Sequence, residues 1–431
     1  MKIVFIVPGT GDSFYCGNCF RDNLQASALR KQGHDVMVIP LYLPVNNKAF
    51  KTNSPVFFPA TSFYLAQKFF QRIKMPLWLE RMLSSGSMLK MAASLSGTTS
   101  ADGMEGMTLA MINGDDKVFL AEVERLVSWL KEDEQPDIIH LSSTLLIGIA
   151  KVLKEKLEIP VVCSVQDEEV WLDSMKEKYA NDAWYSIEVN LQYVDKLITT
   201  SNFYKNVLQQ RLPNSKEPEV IYPGIDQTDY KQVNRPTDPV IGFFYRMNHL
   251  NGLDILAKAF LILKEKNNIL QLKLKIGGGY TNADIKFIKK LKKMLEPYQS
   301  DVEFVDDYAI SDHASFYDAV SLISVPLTFD EGVGLYLCEA FAAGIPAVVP
   351  DTGSFSEIVD GAGILYQPNT PEKLAEALEV LLSDKERYQG ASIKARQHAE
   401  KKYKDTVLAD KLNEVYHACI WQKHTRPGNT F

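Results

Sequence analysis

The chain has 431 residues, of which 46% are hydrophobic and 23% are charged, a balance that is typical of soluble globular proteins. At roughly 150 residues per domain, this length predicts two to three domains. The formal net charge of −7 argues against nucleic acid as a partner, and five cysteines in so long a chain argue against a disulfide scaffold. No apolar run reaches the roughly 18 residues of a membrane span, and the short apolar start does not resemble a secretory signal, so we expect a cytoplasmic protein.

Short apolar runs alternate with segments of helical spacing through the first half of the chain. Strand–helix–strand alternation predicts a parallel sheet with helices on both faces. The runs are continuously apolar, as expected for strands that are buried on both faces. The strands predicted in this half are Lys2–Val7, Val36–Leu41, Asp137–His140, Val161–Val165, Lys196–Thr199 and Val220–Tyr222.

A polar stretch at 226–239 interrupts the pattern, and we interpret it as a linker. The alternation then restarts, and the tail beyond Pro371 is charged and helical. We therefore predict an α/β protein with domains over 1–225 and 240–405, and a C-terminal helix over 406–431 that packs back on the first domain. The strands predicted in the second half are Val240–Phe244, Leu272–Ile276, Val302–Val305, Leu322–Val325, Ala347–Val349 and Gly363–Leu365.

The segment 45–115 has no strand pattern and is too long for a simple crossover, so we predict a helical insertion in the first domain. Within it, Phe63–Leu95 combines Phe, Leu, Met and Trp with interspersed Lys and Arg. Such a segment is an amphipathic surface for a membrane or an apolar acceptor, or else it packs on its own domain. The first alternative would place the protein peripherally at the inner face of a membrane.

The stretch from Pro326 to Ala340 follows a predicted strand and opens a helix. Gly332 and Gly334 permit close approach of a ligand, and the free N–H groups of a helix start suit an anion such as phosphate. Glu331 and Glu339 flank that start and are able to accept hydrogen bonds from the hydroxyls of a ribose and a sugar. The alternative is an ordinary helix start with a capping acid and a surface glutamate.

The next residues include Phe341–Asp351, Gly353 and Glu357-Ile358-Val359. Together with the Glu-x7-Glu spacing, they closely resemble the donor half of retaining glycosyltransferases of family 4. The resemblance implies two Rossmann-like domains that face a cleft, the GT-B arrangement. It also implies that Glu339 binds the ribose, and that Glu331 touches the transferred sugar. The backbone that holds sugar hydroxyls and phosphate would be Gly332, Val333, Gly334 and Leu335.

The family places an arginine after the first strand of its second domain and a lysine five residues later, and both cations bind the donor diphosphate. Arg246 matches the arginine, but Asn251 occupies the lysine position, so half of the cationic clamp is replaced. Gly278 lies in a triple-glycine turn where the family faces its cleft. Val305–Tyr308 matches the base pocket without indicating whether the donor is UDP- or GDP-linked.

In the first half, the resemblance places Gly17 against the donor phosphates. The motif Cys16-Gly-x-Cys19-x-Arg21-Asp22-Asn resembles a subgroup of these transferases. In that subgroup Arg21 and Asp22 would contact the acceptor. Alternatively, they form a charge pair at the start of the helix. The Cys16/Cys19 pair also fits a redox pair or half of a zinc site, but no second Cys pair or His cluster completes four ligands.

Two further positions follow strands of the first domain. His140 matches the first histidine of the family's His-x-His, which makes it a catalytic candidate through a sugar contact, although Ser142 replaces the second histidine. The alternative is that His140 is a structural residue, whose ring nitrogens are hydrogen-bonded inside the domain. The segment Val165–Glu169 occupies the family's Thr-x-His-Gly position. Gln166 and Asp167, with the acids Glu168 and Glu169 that follow, are candidates for holding acceptor hydroxyls, or they start the next helix.

These residues predict a metal-independent retaining glycosyltransferase, with Glu331, Arg246 and His140 as catalytic candidates. Its co-substrate would be a nucleotide-diphosphate sugar, and its acceptor a glycan, a lipid-linked molecule or a small molecule. A non-catalytic nucleotide- or glycan-binding protein of the same fold is the alternative, and Asn251 favours it. A dinucleotide-dependent oxidoreductase is disfavoured, because Gly9 and Gly11 are not followed by a glycine at Phe14.

Overall fold

Parallel strand pairing organises both halves of the chain in the computed structural model, which describes residues 1–8, 16–41, 104–232, 238–305 and 313–425. Each half forms a six-stranded parallel sheet, with strand order β2-β1-β3-β4-β5-β6 in the first and β12-β11-β10-β7-β8-β9 in the second. The predicted fold class, two Rossmann-like domains, is confirmed. The strands are β1 Lys2–Val7, β2 Asp35–Pro40, β3 Ile138–Leu141, β4 Val161–Val165, β5 Lys196–Thr199, β6 Glu219–Val220, β7 Val240–Phe244, β8 Lys273–Gly277, β9 Val302–Phe304, β10 Leu322–Ile323, β11 Ala347–Pro350 and β12 Gly363–Tyr366.

Helices connect these strands. In the first half they are α1 Gly17–Lys31, α2 Glu105–Asn113, α3 Lys117–Trp129, α4 Ala150–Leu157, α5 Glu168–Leu172, α6 Glu177–Asn190 and α7 Asn202–Arg211. In the second half they are α8 Leu253–Lys266, α9 Ile285–Met294, α10 His313–Tyr317, α11 Leu335–Ala342, α12 Phe355–Val359, α13 Pro371–Ser383, α14 Lys385–Lys401 and α15 Asp405–Thr425. A π-helical turn follows α3 at Leu130–Glu134. Short 3-10 turns lie at Thr144–Ile149, Leu191–Tyr193, Gln227–Asp229, Asn282–Asp284 and Glu296–Asp301.

The predicted insertion falls mostly outside the described residues. Of 45–115, only residues 104–115 are described, and they contain helix α2. The proposed surface Phe63–Leu95 lies entirely outside, as do residues 306–308 of the predicted base pocket. Among the helices that are described, none is both long and apolar enough to cross a bilayer.

The chain crosses between its two domains twice, and the crossings lie side by side. The Ile225 N–H donates to the Tyr403 carbonyl at 2.8 Å, and the Asp405 N–H donates to the Ile225 carbonyl at 3.2 Å. Helix α15 then returns to the first domain, where Leu412 and Tyr416 are buried in one cluster with Phe5 of β1. The final helix therefore contributes to the core of the first domain rather than the second.

Candidate active site

The loop from β10 to α11 holds Glu331 in a buried position. The Glu331 side chain is 1% exposed, and its carboxylate accepts hydrogen bonds from the Gly334 N–H at 3.3 Å and the Tyr245 hydroxyl at 3.1 Å. Gly334 precedes helix α11 with a φ of 60°, a left-handed conformation that glycine adopts without steric cost. Burial raises the pKa of Glu331, while the bonds from Gly334 and Tyr245 oppose the shift.

The two domains meet at the residue after Glu331. The Gly332 N–H donates to the Asp167 carboxylate at 2.8 Å, and the Gly332 carbonyl accepts from the Ser201 hydroxyl at 2.6 Å. A Cβ on Gly332 would lie 2.4 Å from Asp167 Oδ1, so a side chain here would displace the Asp167 carboxyl group from this hydrogen bond. The acid predicted to touch the transferred sugar therefore lies next to a direct contact between the domains. The neighbouring Val333 and Leu335 are each 1% exposed and pack in the second-domain core.

Four carboxyl groups gather around this contact: Asp167, Glu168, Glu169 and Glu331. Burial raises the pKa of Asp167 well above its ordinary value, and the nearby Glu331 and Glu169 add to the shift. Burial raises the pKa of Glu168 to about 7 despite the opposing charge of Arg21. No salt bridge joins these four groups to a cation within the part of the chain that the structure describes. The contact between the domains is thus lined by acids that hold protons unusually tightly.

Glu339, the second acid of the Glu-x7-Glu pair, is fully buried within the second domain. Its carboxylate accepts from the Tyr230 hydroxyl at 2.8 Å and lies 2.8 Å from His313 Nδ1. The His313 ring in turn packs against Phe20 of the first domain, with ring centroids 4.7 Å apart. A ribose hydroxyl that bonded to the Glu339 carboxylate would therefore either share it with Tyr230 and His313 or displace one of them.

The predicted phosphate-binding arginine is paired with an acid in this structure. Arg246 is 5% exposed, and its guanidinium donates to Asp284 Oδ2 at 3.0 and 3.2 Å and to the Thr281 hydroxyl at 3.0 Å. Asn251 holds the same loop, because its side-chain amide donates to the Arg246 carbonyl at 2.7 Å. Gly278 has a φ of 106°, and a Cβ there would lie 2.3 Å from the Tyr245 carbonyl oxygen, so packing alone requires this glycine.

The first-domain acceptor candidates form one buried network. Arg21 donates to Asp22 Oδ1 at 2.9 Å, to Gln166 Oε1 at 3.3 Å and to the Ser142 carbonyl. Burial raises the pKa of Asp22, against the charge of Arg21. Gly17 opens helix α1 beside this network, and a Cβ there would lie 3.5 Å from Gln166 Nε2. The structure therefore brings Gly17, Arg21, Asp22 and Gln166 together, and Asp167 extends from them to the second domain.

Cys16 and Cys19 form a disulfide at the start of helix α1. Cys16 is the N-cap residue, and its sulfur accepts from the Cys19 N–H at 3.4 Å. Over the described ranges, no group of three or more His, Cys, Asp or Glu side chains is arranged to hold a metal ion.

His140 is held by hydrogen-bond partners outside the acidic cluster. Its ring is fully buried in β3, stacks on Phe5 at 4.5 Å, and is bonded at Nδ1 to the Tyr416 hydroxyl and at Nε2 to the Ser164 hydroxyl, at 2.6 and 2.7 Å. Burial lowers the pKa of His140 to about 3, helped by the charge of Arg21, so the ring is neutral. A contact between this ring and a sugar would require one of these two bonds to break.

Sequence reasoning missed several residues that the site uses. Tyr230 and His313 approach Glu339 from the linker and from a short helix, and no spacing in the sequence signals either contact. Asp284 reaches Arg246 from a 3-10 turn 38 residues further on. Glu169 was not missed, because it belongs to the acidic run after the predicted strand Val161–Val165, and that run was a candidate for acceptor binding.

Family models match both halves of the chain. Residues 108–229 match the model described as Glycosyltransferase Family 4, and residues 238–384 match the one described as Glycosyl transferases group 1. Each half of the chain is therefore similar to one domain of a glycosyltransferase.

Individual proteins with known descriptions are similar to parts of the chain. A D-inositol 3-phosphate glycosyltransferase from Nocardia farcinica is 28% identical over 230 residues, which are 48% of this chain and 48% of the relative. The chain thus spans about half the length of this curated relative. Among solved structures, a sucrose-phosphate synthase from Thermosynechococcus elongatus aligns with a TM-score of 0.71 at 17% identity, covering 98% of this chain and 100% of that one. HepE from Anabaena, in complex with UDP, aligns with a TM-score of 0.67 at 15% identity, covering 97% and 100%. At these identities the structural matches establish the GT-B fold.

Proposed function

We propose that the protein is a retaining glycosyltransferase, which transfers a sugar from a nucleotide-diphosphate sugar to a hydroxyl of an acceptor. One observation carries the proposal: the acid Glu331 lies in the second-domain loop whose next residue, Gly332, bonds directly to Asp167 and Ser201 of the first domain. A donor bound by the second domain and an acceptor bound by the first would meet at this acid. The complex of HepE with UDP supports a nucleotide donor, and the base, UDP or GDP, is left to experiment.

In the proposed reaction, the acceptor oxygen forms a bond to the anomeric carbon on the face from which the diphosphate leaves. The bond from that carbon to the diphosphate oxygen breaks, and the acceptor proton passes to the departing phosphate. Main-chain N–H groups near Gly17 and at the start of α11, together with Arg246, would stabilise the leaving group without a metal ion. Arg246 would serve this role by exchanging part of its pairing with Asp284 for phosphate oxygens.

Glu339 is proposed to bind ribose hydroxyls and Glu331 the transferred sugar, with the backbone of Gly332 to Leu335 completing the donor site. Gln166 and Asp167 are proposed to hold the acceptor, beside Arg21 and Asp22. The acids at the domain contact favour an acceptor that donates hydrogen bonds, such as a glycan or another polyol, because carboxyl oxygens accept them readily. Contact of Phe63–Leu95 with a membrane stays a prediction, which sedimentation with anionic liposomes would test.

The decisive experiment combines a thermal-shift panel of nucleotide diphosphates and their sugars with a turnover assay. A ligand that binds the native state raises the melting temperature by mass action. We expect one base to stabilise the protein, and the matching sugar donor to be turned over. Glu331→Gln should lower turnover by about 100-fold, since a group that stabilises developing charge contributes on that scale. Glu386→Gln, which makes the same charge change at an exposed position of the same domain, should leave turnover unchanged.

The non-catalytic alternative rests on Asn251 and on the pairing of Arg246 with Asp284. If nucleotides stabilise the wild type, but neither it nor Asn251→Lys turns over any common nucleotide sugar, the protein is a binding protein of this fold. Turnover by the wild type would exclude that alternative. Faster turnover in Asn251→Lys than in the wild type would show that the missing cation at position 251 limits donor binding.

A further inference from the structure

A carboxylate of the second domain binds the start of a helix in the first. Glu357 in α12 accepts from the main-chain N–H of Asn202 at 3.0 Å, from the Asn202 side-chain amide at 2.7 Å and from the Phe203 N–H at 3.1 Å. The Tyr222 hydroxyl donates to the same carboxylate. Four donors from one domain thus converge on a single acid of the other.

These donors include unsatisfied groups at the end of helix α7. The first N–H groups of a helix have no partner inside it, and its N-terminus attracts negative charge. Ser201 caps α7 by accepting from the Tyr204 N–H at 3.1 Å, which leaves the N–H groups of Asn202 and Phe203 for Glu357. Burial acts to raise the pKa of Glu357, but the hydrogen bonds from Tyr222 and Asn202 outweigh it and lower the pKa, so the group is an anion at neutral pH.

Both sides of this contact are also bonded to the loop that carries Glu331. In the second domain, Ser354 at the start of α12 donates its N–H to the Glu331 carbonyl at 2.9 Å. In the first domain, Ser201 donates its hydroxyl to the Gly332 carbonyl at 2.6 Å. The Glu357 contact and the Glu331 loop are therefore linked through one short segment on each side.

We propose that Glu357 is a positioning residue, which sets the register of the two domains so that the Glu331–Gly332 loop meets Asp167 and Ser201. The side-by-side chain crossings at Ile225 tether the domains, and the carboxylate on α7 fixes how they face each other. Glu357 touches no reacting atom in this role. The structural claim holds whether or not the protein is a transferase, and only its kinetic consequence rests on the proposed function.

Hydrogen exchange of the full chain tests the structural claim. In Glu357→Gln, an NH2 group replaces one carboxylate oxygen and cannot accept a hydrogen bond. Exchange of the main-chain amide hydrogens of residues 202–203 should therefore become faster. If Glu357 positions the loop, exchange at 331–334 should rise with it by about tenfold, which corresponds to about 1.4 kcal/mol. Exchange in Glu386→Gln should match the wild type at both segments. Faster exchange at 202–203 with no change at 331–334 would show that Glu357 only caps the helix, and would overturn the proposal.

Glu357→Gln could act by disturbing α12 itself, so a second variant changes the first-domain side of the contact. Asn202→Pro removes the main-chain N–H and the side-chain amide together, while proline is well tolerated as the first residue of a helix. The preceding Ser201 has φ −157° and ψ 160°, the extended conformation that a residue before proline adopts. The same rise at 331–334 is expected, and its absence here would also contradict the proposal.

Kinetics then separate positioning from donor binding. If the protein is a transferase, Glu357→Gln should lower kcat about tenfold and change the affinity for the nucleotide diphosphate less than threefold, because that ligand is held mainly by the second domain. An equal loss in affinity would instead place Glu357 in the donor site and overturn the positioning role. A wild type without turnover would refute the proposed function, while the exchange result would still decide the role of Glu357.

Discussion

Replacement of Glu168 by glutamine should change how the stability of the first domain depends on pH. Glu168 is 3% exposed and accepts from the Ser143 hydroxyl at 2.9 Å and the Gln166 N–H at 2.6 Å. Burial nevertheless dominates and raises its pKa from 4.5 to about 7. Folding therefore takes up a proton at Glu168 between these two pH values.

The sign follows from the linkage between proton binding and folding. Because the native state holds this proton more tightly than the unfolded chain, the contribution of Glu168 is fully present below the unfolded pKa of 4.5 and is lost as the pH rises through about 7. From about pH 5 to about pH 8, this loss amounts to about 2.5 kcal/mol in the free energy of unfolding. A glutamine side chain has no titrating proton to lose, so this part of the pH dependence should vanish in Glu168→Gln.

Urea unfolding followed by tryptophan fluorescence measures the effect, because Trp129, Trp171 and Trp184 all lie in the first domain. His140 acts in the opposite direction, since its lowered pKa makes stability fall as the pH drops below 6.5. The difference between wild type and Glu168→Gln at each pH removes this and other shared contributions. The reasoning would be refuted if the free energies of unfolding of the two proteins ran parallel from about pH 5 to about pH 8. A constant difference between them would not matter, because the glutamine can change stability equally at every pH.

Three further substitutions test individual contacts. Gly332→Ala should destabilise the protein by about 1–3 kcal/mol in urea unfolding, because its Cβ would lie 2.4 Å from Asp167 Oδ1. His140→Phe should cost about 2 kcal/mol or more in the same assay, because it strands two buried hydroxyl partners, and a loss below about 0.5 kcal/mol would contradict that account. Asp284→Asn should tighten binding of the nucleotide diphosphate severalfold in titration calorimetry, because Arg246 loses its anionic partner; weaker binding would mean that the pair positions the arginine.

The glycine substitution has a matched control in Gly390→Ala. Gly390 lies inside helix α14, and a Cβ there meets nothing within 4 Å. Alanine should therefore stabilise this helix by about 0.5–1 kcal/mol. Opposite signs for the two Gly→Ala changes would show that the loss at Gly332 comes from its close approach to the first domain. A Gly332→Ala protein as stable as the wild type would contradict the close approach.

The sequence by itself determined the architecture and the outline of the site. Continuous apolar runs separated by helical spacing were enough to predict two parallel sheets, because burial on both faces leaves that pattern in each strand. The spacing from Glu331 to Glu339, with two glycines between them, placed both acids at one helix start. These features are local, so they can be read without knowing how the domains dock.

Only the tertiary structure decided which partners those side chains have. His140 bonds to Tyr416, 276 residues away, because the last helix returns to the first domain. Gly332 meets Asp167 across 165 residues, and Glu357 binds Asn202 across 155, because the two domains are in contact at these points. Buried polar groups must find hydrogen-bond partners, but the chain that supplies each partner is set by packing between distant segments, which leaves no periodicity in the sequence.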